Sequence, residues 1–157
     1  MGSITTQESA TPLINYLNVA PGAFKAMVGL ESYLRGCGLG PSLIEMVKLR
    51  VSQINRCGYC IDMHTKKLVA EGESNDRVHR LQAWREGDYY SAREQTALAW
   101  AEAVTRIVER HIDDSLYQKA LETFTEKELV DLTLAVVAIN GWNRLNISFR
   151  IPPGYQF

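Results

Sequence analysis

Three cysteines in 157 residues are too few for a disulfide framework, so this chain must hold itself together by a hydrophobic core. No sign of charge is in excess: 17 Lys and Arg stand against 18 Asp and Glu, for a formal net charge of −1. Without a basic stripe or cluster, the composition argues against nucleic acid or an anionic membrane surface as partner. Long hydrophobic runs are missing too, and the most apolar stretch, Leu129 to Ile139, is too short to span a bilayer. The first residues, Met1 to Glu8, lack the positive region and apolar core of a signal peptide, which makes a soluble cytoplasmic protein the expectation. Alternating apolar and polar residues, the mark of a half-buried strand, are absent. Internal repeats, low-complexity tracts and domain linkers are absent as well. With 46% hydrophobic and 22% charged residues, what remains is an ordinary globular composition and one domain, residues 1–157 with a core at about 12–150.

Helix signals fill that domain. A short helix is expected at about 12–18 behind Thr11-Pro12, and Pro21 opens another to Arg35 with Phe24, Met27, Val28, Leu30 and Leu34 as its apolar set. The glycines of Gly36-Cys37-Gly38-Leu39-Gly40 end it, and Pro41 starts a helix with Leu43, Val47, Val51 and Ile54 at helical spacing. Further helices are expected from about Cys57 to Gly72, from Ser74-Asn75-Asp76 to about Arg85, and from the capping box Ser91-Ala92-Arg93-Glu94 to about Arg110. The last of these would turn Leu98, Ala101, Val104 and Val108 inward. A short helix near 114–123 precedes the capping box Thr125-Glu126-Lys127-Glu128, which launches a final helix to about Ser148. That helix is apolar nearly all round, through Leu132, Leu134, Val136, Val137 and Ile139. It must be central to the core or covered by another subunit. The tail from Ile151 to Phe157 reads as extended. The fold class is all-α.

The chemistry is concentrated in Cys57-Gly58-Tyr59-Cys60-Ile61-Asp62-Met63-His64. On a helix, residues 57, 60 and 64 share one face, and the spacing of three keeps two cysteine Cα atoms within the roughly 4.4–6.8 Å that a disulfide tolerates. A helix N-terminus stabilises thiolates, Arg56 could add to its field, and an imidazole one turn on can move protons for them. Glu45 interrupts an apolar sequence twelve residues before Cys57 and is a candidate to orient His64. In one unbroken helix Glu45 and Cys57 would stand about 18 Å apart, so cooperation requires the chain to reverse near Asn55–Gly58. Ser42-Leu43-Ile44-Glu45 also spells a capping box, which would give Glu45 a purely structural task. A zinc site competes for the cysteines, but it needs a fourth ligand, and Cys37, His79 and His111 lack finger-like spacing. No role is assigned to Cys37. A thioredoxin-like fold is disfavoured because no strand precedes the motif.

These residues resemble the AhpD-like alkylhydroperoxidases of the carboxymuconolactone decarboxylase superfamily. The shared pattern is a Glu, eleven residues, then C-x-x-C-x-x-x-H, met by Glu45, Cys57, Cys60 and His64. The lead-in Leu49-Arg50-Val51-Ser52-Gln53-Ile54-Asn55 and the late Ile139-Asn140-Gly141-Trp142-Asn143-Arg144-Leu145 are also similar, so the likeness spans roughly residues 12–150. The resemblance implies an all-α fold that assembles into trimers or hexamers, and a cofactor-free, thiol-dependent peroxidase. It makes Cys60 the peroxidatic nucleophile, Cys57 the resolving thiol, and Glu45 with His64 the proton relay. The implied partners are a hydroperoxide substrate and an external dithiol or protein reductant. Studied peroxidase members carry a second histidine just before the second cysteine; this chain has Tyr59, whose phenol donates a hydrogen bond but is a poor base at neutral pH. Decarboxylase members generally lack the cysteine pair, which speaks against lactone decarboxylation. Two other readings of the motif remain: a disulfide reductase or redox sensor without peroxide turnover, and a metal-stabilised structural oligomer.

Overall fold

Proline and serine-type caps set where the helices of this chain begin, and a computed structural model describes the result for residues 10–157. Helix α1 is Tyr16–Val19, α2 Pro21–Arg35, α3 Pro41–Asn55, α4 Gly58–Ala70, α5 Asn75–Arg80, α6 Ala92–Thr105, α7 Asp114–Thr123 and α8 Glu126–Ser148, with a 3₁₀ turn at Leu81–Ala83. Pro21 and Pro41 each occupy the start of their helix, where the missing N–H is no loss. Both expected capping boxes form: Ser91 with Glu94 opens α6, and Thr125 with Glu128 opens α8. The architecture is all-α, as the sequence pattern predicts.

Four local expectations need correction. The first helix starts at Tyr16 rather than residue 12, because Asn15 caps it by accepting from Asn18 N–H, while the Leu13 N–H bonds the Phe149 carbonyl and extends the preceding chain. Helix α5 stops at Arg80 and tightens into the 3₁₀ turn instead of running to Arg85. Helix α6 ends at Thr105, five residues before Arg110. The β-branched sequence Thr105, Ile107, Val108 favours helix weakly, and no neighbour covers it; Val108 is consequently 91% exposed, not inward. Ser42 lies inside α3, whose N-cap is Gly40, so the capping box that was the alternative reading of Glu45 does not form.

Helix α3 is the hub. It packs against α4, α6 and α8, and both of its faces are buried. Leu43, Ile44, Val47 and Val51 join α6 and α8 residues in the main core, which also takes in Cys57 and Cys60. Met46 and Leu49, on the opposite side, pack with Leu68, Val78, Leu81, Trp84, Tyr90 and Leu98. Helix α8 buries Leu132, Val136 and Ile139 completely but leaves Val130 and Val137 outside, so it is central with one uncovered apolar stripe.

The reversal between α3 and α4 turns on Arg56, which adopts φ 60 and ψ 41. A left-handed conformation costs a non-glycine residue about 1–2 kcal/mol, so surrounding contacts must hold it. Here they do. Asn55 Nδ2 donates to Asn140 Oδ1 and Asn143 Oδ1, both at 2.9 Å, and Asn143 Nδ2 donates to Ser52 Oγ at 3.1 Å. These amides clamp the end of α3 to α8. Asn143 and Ser52 are fully buried, and deleting one partner leaves the others desolvated and unpaired. Asn143→Ala is therefore expected to lower the unfolding free energy by about 1–3 kcal/mol, read as a lower midpoint in urea melts with an unchanged slope.

Candidate active site

Cys57 is the N-cap of α4, and its sulfur takes the place usually filled by a serine or aspartate oxygen, accepting from the Cys60 N–H at 3.4 Å. Cys60 is the third residue of the helix. The two side chains are joined as a disulfide, with Cα atoms 5.3 Å apart, inside the range the spacing predicts. Both cysteines are buried, at 1% and 0% exposure. Gly58, between them, meets the C-terminal tail: a Cβ there would stand 3.3 Å from Pro153 Cγ. The second position of the motif thus lets the tail lie over the helix N-terminus.

Because the chain reverses at Arg56, α3 lies beside α4, and Glu45 comes against His64. Glu45 Oε2 stands 2.5 Å from His64 Nδ1. A carboxylate can only accept, so Nδ1 carries the proton and Nε2 is left as the basic nitrogen. Nε2 is buried and has no hydrogen-bond partner among the described residues. Burial lowers the imidazole pKa below its usual 6.5; the Glu45 hydrogen bond and charge pull it back only in part, and Lys48 and Lys67 push it further down. Burial alone would raise Glu45, but the His64 hydrogen bond, its charge and those of Lys67 and Lys48 outweigh it and hold the carboxyl below its usual range. The pair at neutral pH is a carboxylate holding a neutral, oriented imidazole.

Two residues outside the sequence-derived set reach the same place. Asn146 Nδ2 donates to Cys60 Sγ at 3.2 Å, and Tyr16 Oη donates to Asn146 Oδ1 at 2.7 Å. A signal for Asn146 existed: Asn140, Asn143 and Asn146 recur every third residue in the second half of the helix, and buried amides need partners. Tyr16 carried no such mark. His64 and Asn146 lie in the wall of a cavity of about 220 Å³ whose other sides are half aromatic, including Tyr16, Phe24, Trp142 and Phe157, with Glu31, Arg35 and Lys67 as charged members. Phe157 packs on Tyr16 with ring centroids 5.1 Å apart and meets Tyr59 edge-on at 6.0 Å. Burial, then the Asp62 charge, raises the Tyr59 pKa above its usual 10, so this phenol stays protonated and faces the cavity as a donor.

Of the remaining candidates, Cys37 is a half-buried free thiol and His79 and His111 are exposed. Arg56 points its exposed side chain from the turn and makes no ion pair with a described residue. Among the described residues, no three His, Cys, Asp or Glu side chains gather as metal ligands would.

The His64 environment has a measurable consequence. Its folded pKa lies below the unfolded value of 6.5, so the unfolded chain binds the proton more readily. The contribution to stability is present above pH 6.5 and is lost as pH falls toward the folded pKa. NMR titration should find His64 neutral, protonated at Nδ1, with a midpoint below 6.5 that falls further in Glu45→Gln. A midpoint at or above 6.5 would contradict this electrostatic account.

Known proteins share the sequence pattern and the fold. The profile of the carboxymuconolactone decarboxylase family matches residues 21–103, just over half of the chain and the segment that carries Glu45, both motif cysteines and His64. The uncharacterized protein YdfG of Bacillus subtilis (strain 168) is 38% identical over 135 residues, covering 86% of this chain and 92% of YdfG. A crystal structure from Agrobacterium tumefaciens, of a protein of unknown function described as a candidate antioxidant defence protein AhpD, superposes with a TM-score of 0.88. It is 37% identical and is matched over 93% of this chain and 100% of its own. An uncharacterized peroxidase-related protein from Ralstonia eutropha JMP134, described as an alkylhydroperoxidase AhpD core, shares the fold alone, with a TM-score of 0.78 at 19% identity, over 92% of this chain and 77% of its own. On the match of profile, sequence and fold together, this chain belongs to the carboxymuconolactone decarboxylase family, as an AhpD-like member.

Proposed function

We propose that this protein is a thiol-dependent peroxidase that reduces hydrogen peroxide or alkyl hydroperoxides through a Cys57–Cys60 dithiol–disulfide cycle. The observation that carries the reading is the Glu45–His64 contact: it leaves a buried basic nitrogen on the helix face that also bears Cys60. Family membership and the resemblance to AhpD-type structures support it.

In this cycle His64 Nε2 takes the Cys60 thiol proton, and Glu45 stabilises the resulting imidazolium. The Cys60 thiolate attacks the terminal oxygen of the hydroperoxide. The O–O bond breaks, Cys60 becomes a sulfenic acid, and the departing alkoxide or hydroxide takes the proton back from His64. The Cys57 thiol then condenses with the sulfenic acid, releasing water and forming the disulfide. An external dithiol returns two electrons and two protons by exchange and is itself oxidised. The Cys60 N–H on Cys57 Sγ stabilises Cys57 as the thiolate that attacks and later leaves.

The aromatic cavity beside His64 accommodates the organic part of an alkyl hydroperoxide, and the burial of both sulfurs suits a small substrate better than a folded protein's disulfide. That favours peroxide turnover over the disulfide-reductase alternative. Assembly into a homo-oligomer belongs to the same proposal: Val130 and Val137 of α8, with Tyr117 and Leu121 of α7, present apolar surface that a second copy would cover.

Peroxide consumption with a dithiol reductant tests this reading. Cys60→Ser should abolish it, Cys57→Ser should stop at a sulfenic acid that dimedone traps, and His64→Ala should slow it by about 10²–10⁴-fold. Full turnover in Cys60→Ser would sink the assignment.

A further inference from the structure

The two sulfurs of the motif have different hydrogen-bond donors. The helix N-terminus serves Cys57 through the Cys60 N–H. Cys60 is served from another helix altogether, by Asn146 of α8, 86 residues away in sequence. We propose that Asn146 is a catalytic residue of this site, donating the hydrogen bond that stabilises Cys60 as a thiolate, and that Tyr16 is the positioning residue that fixes its amide. This deepens the peroxidase reading and rests on it for the role of Cys60 as nucleophile.

The orientation of the amide follows from donor and acceptor chemistry. A disulfide sulfur has no proton to give, so an Asn146 carbonyl turned toward it would be left without a donor. With Nδ2 on the sulfur, Oδ1 instead accepts the Tyr16 hydroxyl. Tyr16 stays a donor because burial, aided by the neighbouring Tyr59 phenol, holds its pKa well above the usual range. Its ring is set by packing against Phe24, Trp142, Phe149 and Phe157. Asn146 itself is 3% exposed.

The energetics then distinguish the redox states. Burying an amide is costly unless its groups are paired. A disulfide sulfur is a weak acceptor for Nδ2, whereas a thiolate accepts a charge-assisted bond roughly twice as strong as a neutral one. The same fixed amide therefore does little for the disulfide and much for the Cys60 anion, which is the species that attacks peroxide. Other charged or titratable groups stand around the site: His64, Tyr59 and Lys67 on α4, Tyr16 on α1, Glu31 and Arg35 on α2, and Glu45 and Lys48 on α3. Replacing Asn146 removes none of these groups from the chain.

The test uses the reduced protein and needs no turnover. Iodoacetamide alkylation of Cys60 is followed across pH, resolved from Cys57 and Cys37 by peptide mass spectrometry, to give the Cys60 pKa. Asn146→Ala should raise it by about one pH unit. Asn146→Asp, similar in shape but an acceptor with negative charge, should raise it further. Tyr16→Phe, which frees the amide but keeps Asn146, should raise it less. A purely structural role for Asn146 would leave the Cys60 pKa unmoved in variants with native far-UV circular dichroism, and that result overturns the proposal. Should Asn146→Ala fail to fold, an unmoved pKa in Tyr16→Phe overturns it equally. Raised pKa values in a protein that consumes no peroxide would uphold Asn146 as thiolate donor and refute the peroxidase reading alone.

Discussion

Everything at this site depends on bringing a carboxylate on one helix against an imidazole on the next. The Glu45–His64 contact exists because α3 reverses at a single left-handed residue, Arg56, and returns alongside itself as α4. Local propensity does not favour that reversal. It is held from outside, by the Asn55, Asn140 and Asn143 amides that tie the end of α3 to α8, and by the core that surrounds α3 on both faces. The same turn leaves Cys57 as the N-cap of the new helix. One backbone feature thereby sets both the base and the disulfide.

Within that frame the local environment divides the work among chemically similar groups. Burial makes His64 a neutral base rather than a cation, while its Nδ1–H bond keeps Glu45 ionised and assigns the free nitrogen. Burial keeps Tyr59 and Tyr16 protonated; the Tyr16 phenol donates to Asn146, and that of Tyr59 is left able to donate into the cavity. Cys57 and Cys60 differ in the donor each meets, one a backbone N–H and the other a side-chain amide. Where studied peroxidase relatives are expected to present a second histidine, the phenol at position 59 faces an aromatic cavity instead. In the proposed cycle, proton transfer is thus concentrated on His64.

Much of this was legible in the sequence, for definite reasons. The motif compresses Cys57, Cys60 and His64 into two helical turns, and local chemistry needs only the helical period to be read. Capping boxes and prolines place the starts of α2, α3, α6 and α8 to the residue. Helix ends were less legible: α6 unwinds at Thr105 because nothing packs over Ile107 and Val108, and a missing neighbour leaves no local trace. Glu45 was ambiguous in sequence because an acidic residue three positions after a serine serves a capping box as well as a relay, and the N-cap at Gly40 rules out the box. Tyr16 carried no mark in the sequence, and the spacing of Asn146 with Asn140 and Asn143 pointed to buried amides without naming their partners. The meaning of Asn146 and Tyr16 lies in contacts spanning 86 and 130 residues, which only the packed fold creates.

Family membership alone does not choose between chemistries, since its name is that of a decarboxylase; the buried Cys57–Cys60 pair with an oriented imidazole near it is what favours the proposed peroxide chemistry. The central claim is that a reduced Cys57–Cys60 pair delivers its two electrons to an O–O bond. Single turnover tests it most directly: the pre-reduced protein, freed of reductant, is mixed with one equivalent of an organic hydroperoxide. The account predicts one alcohol formed per chain, together with one Cys57–Cys60 disulfide and no change at Cys37. Hydroperoxide left intact while the dithiol persists, in a protein whose disulfide still cycles with added dithiols, would contradict it.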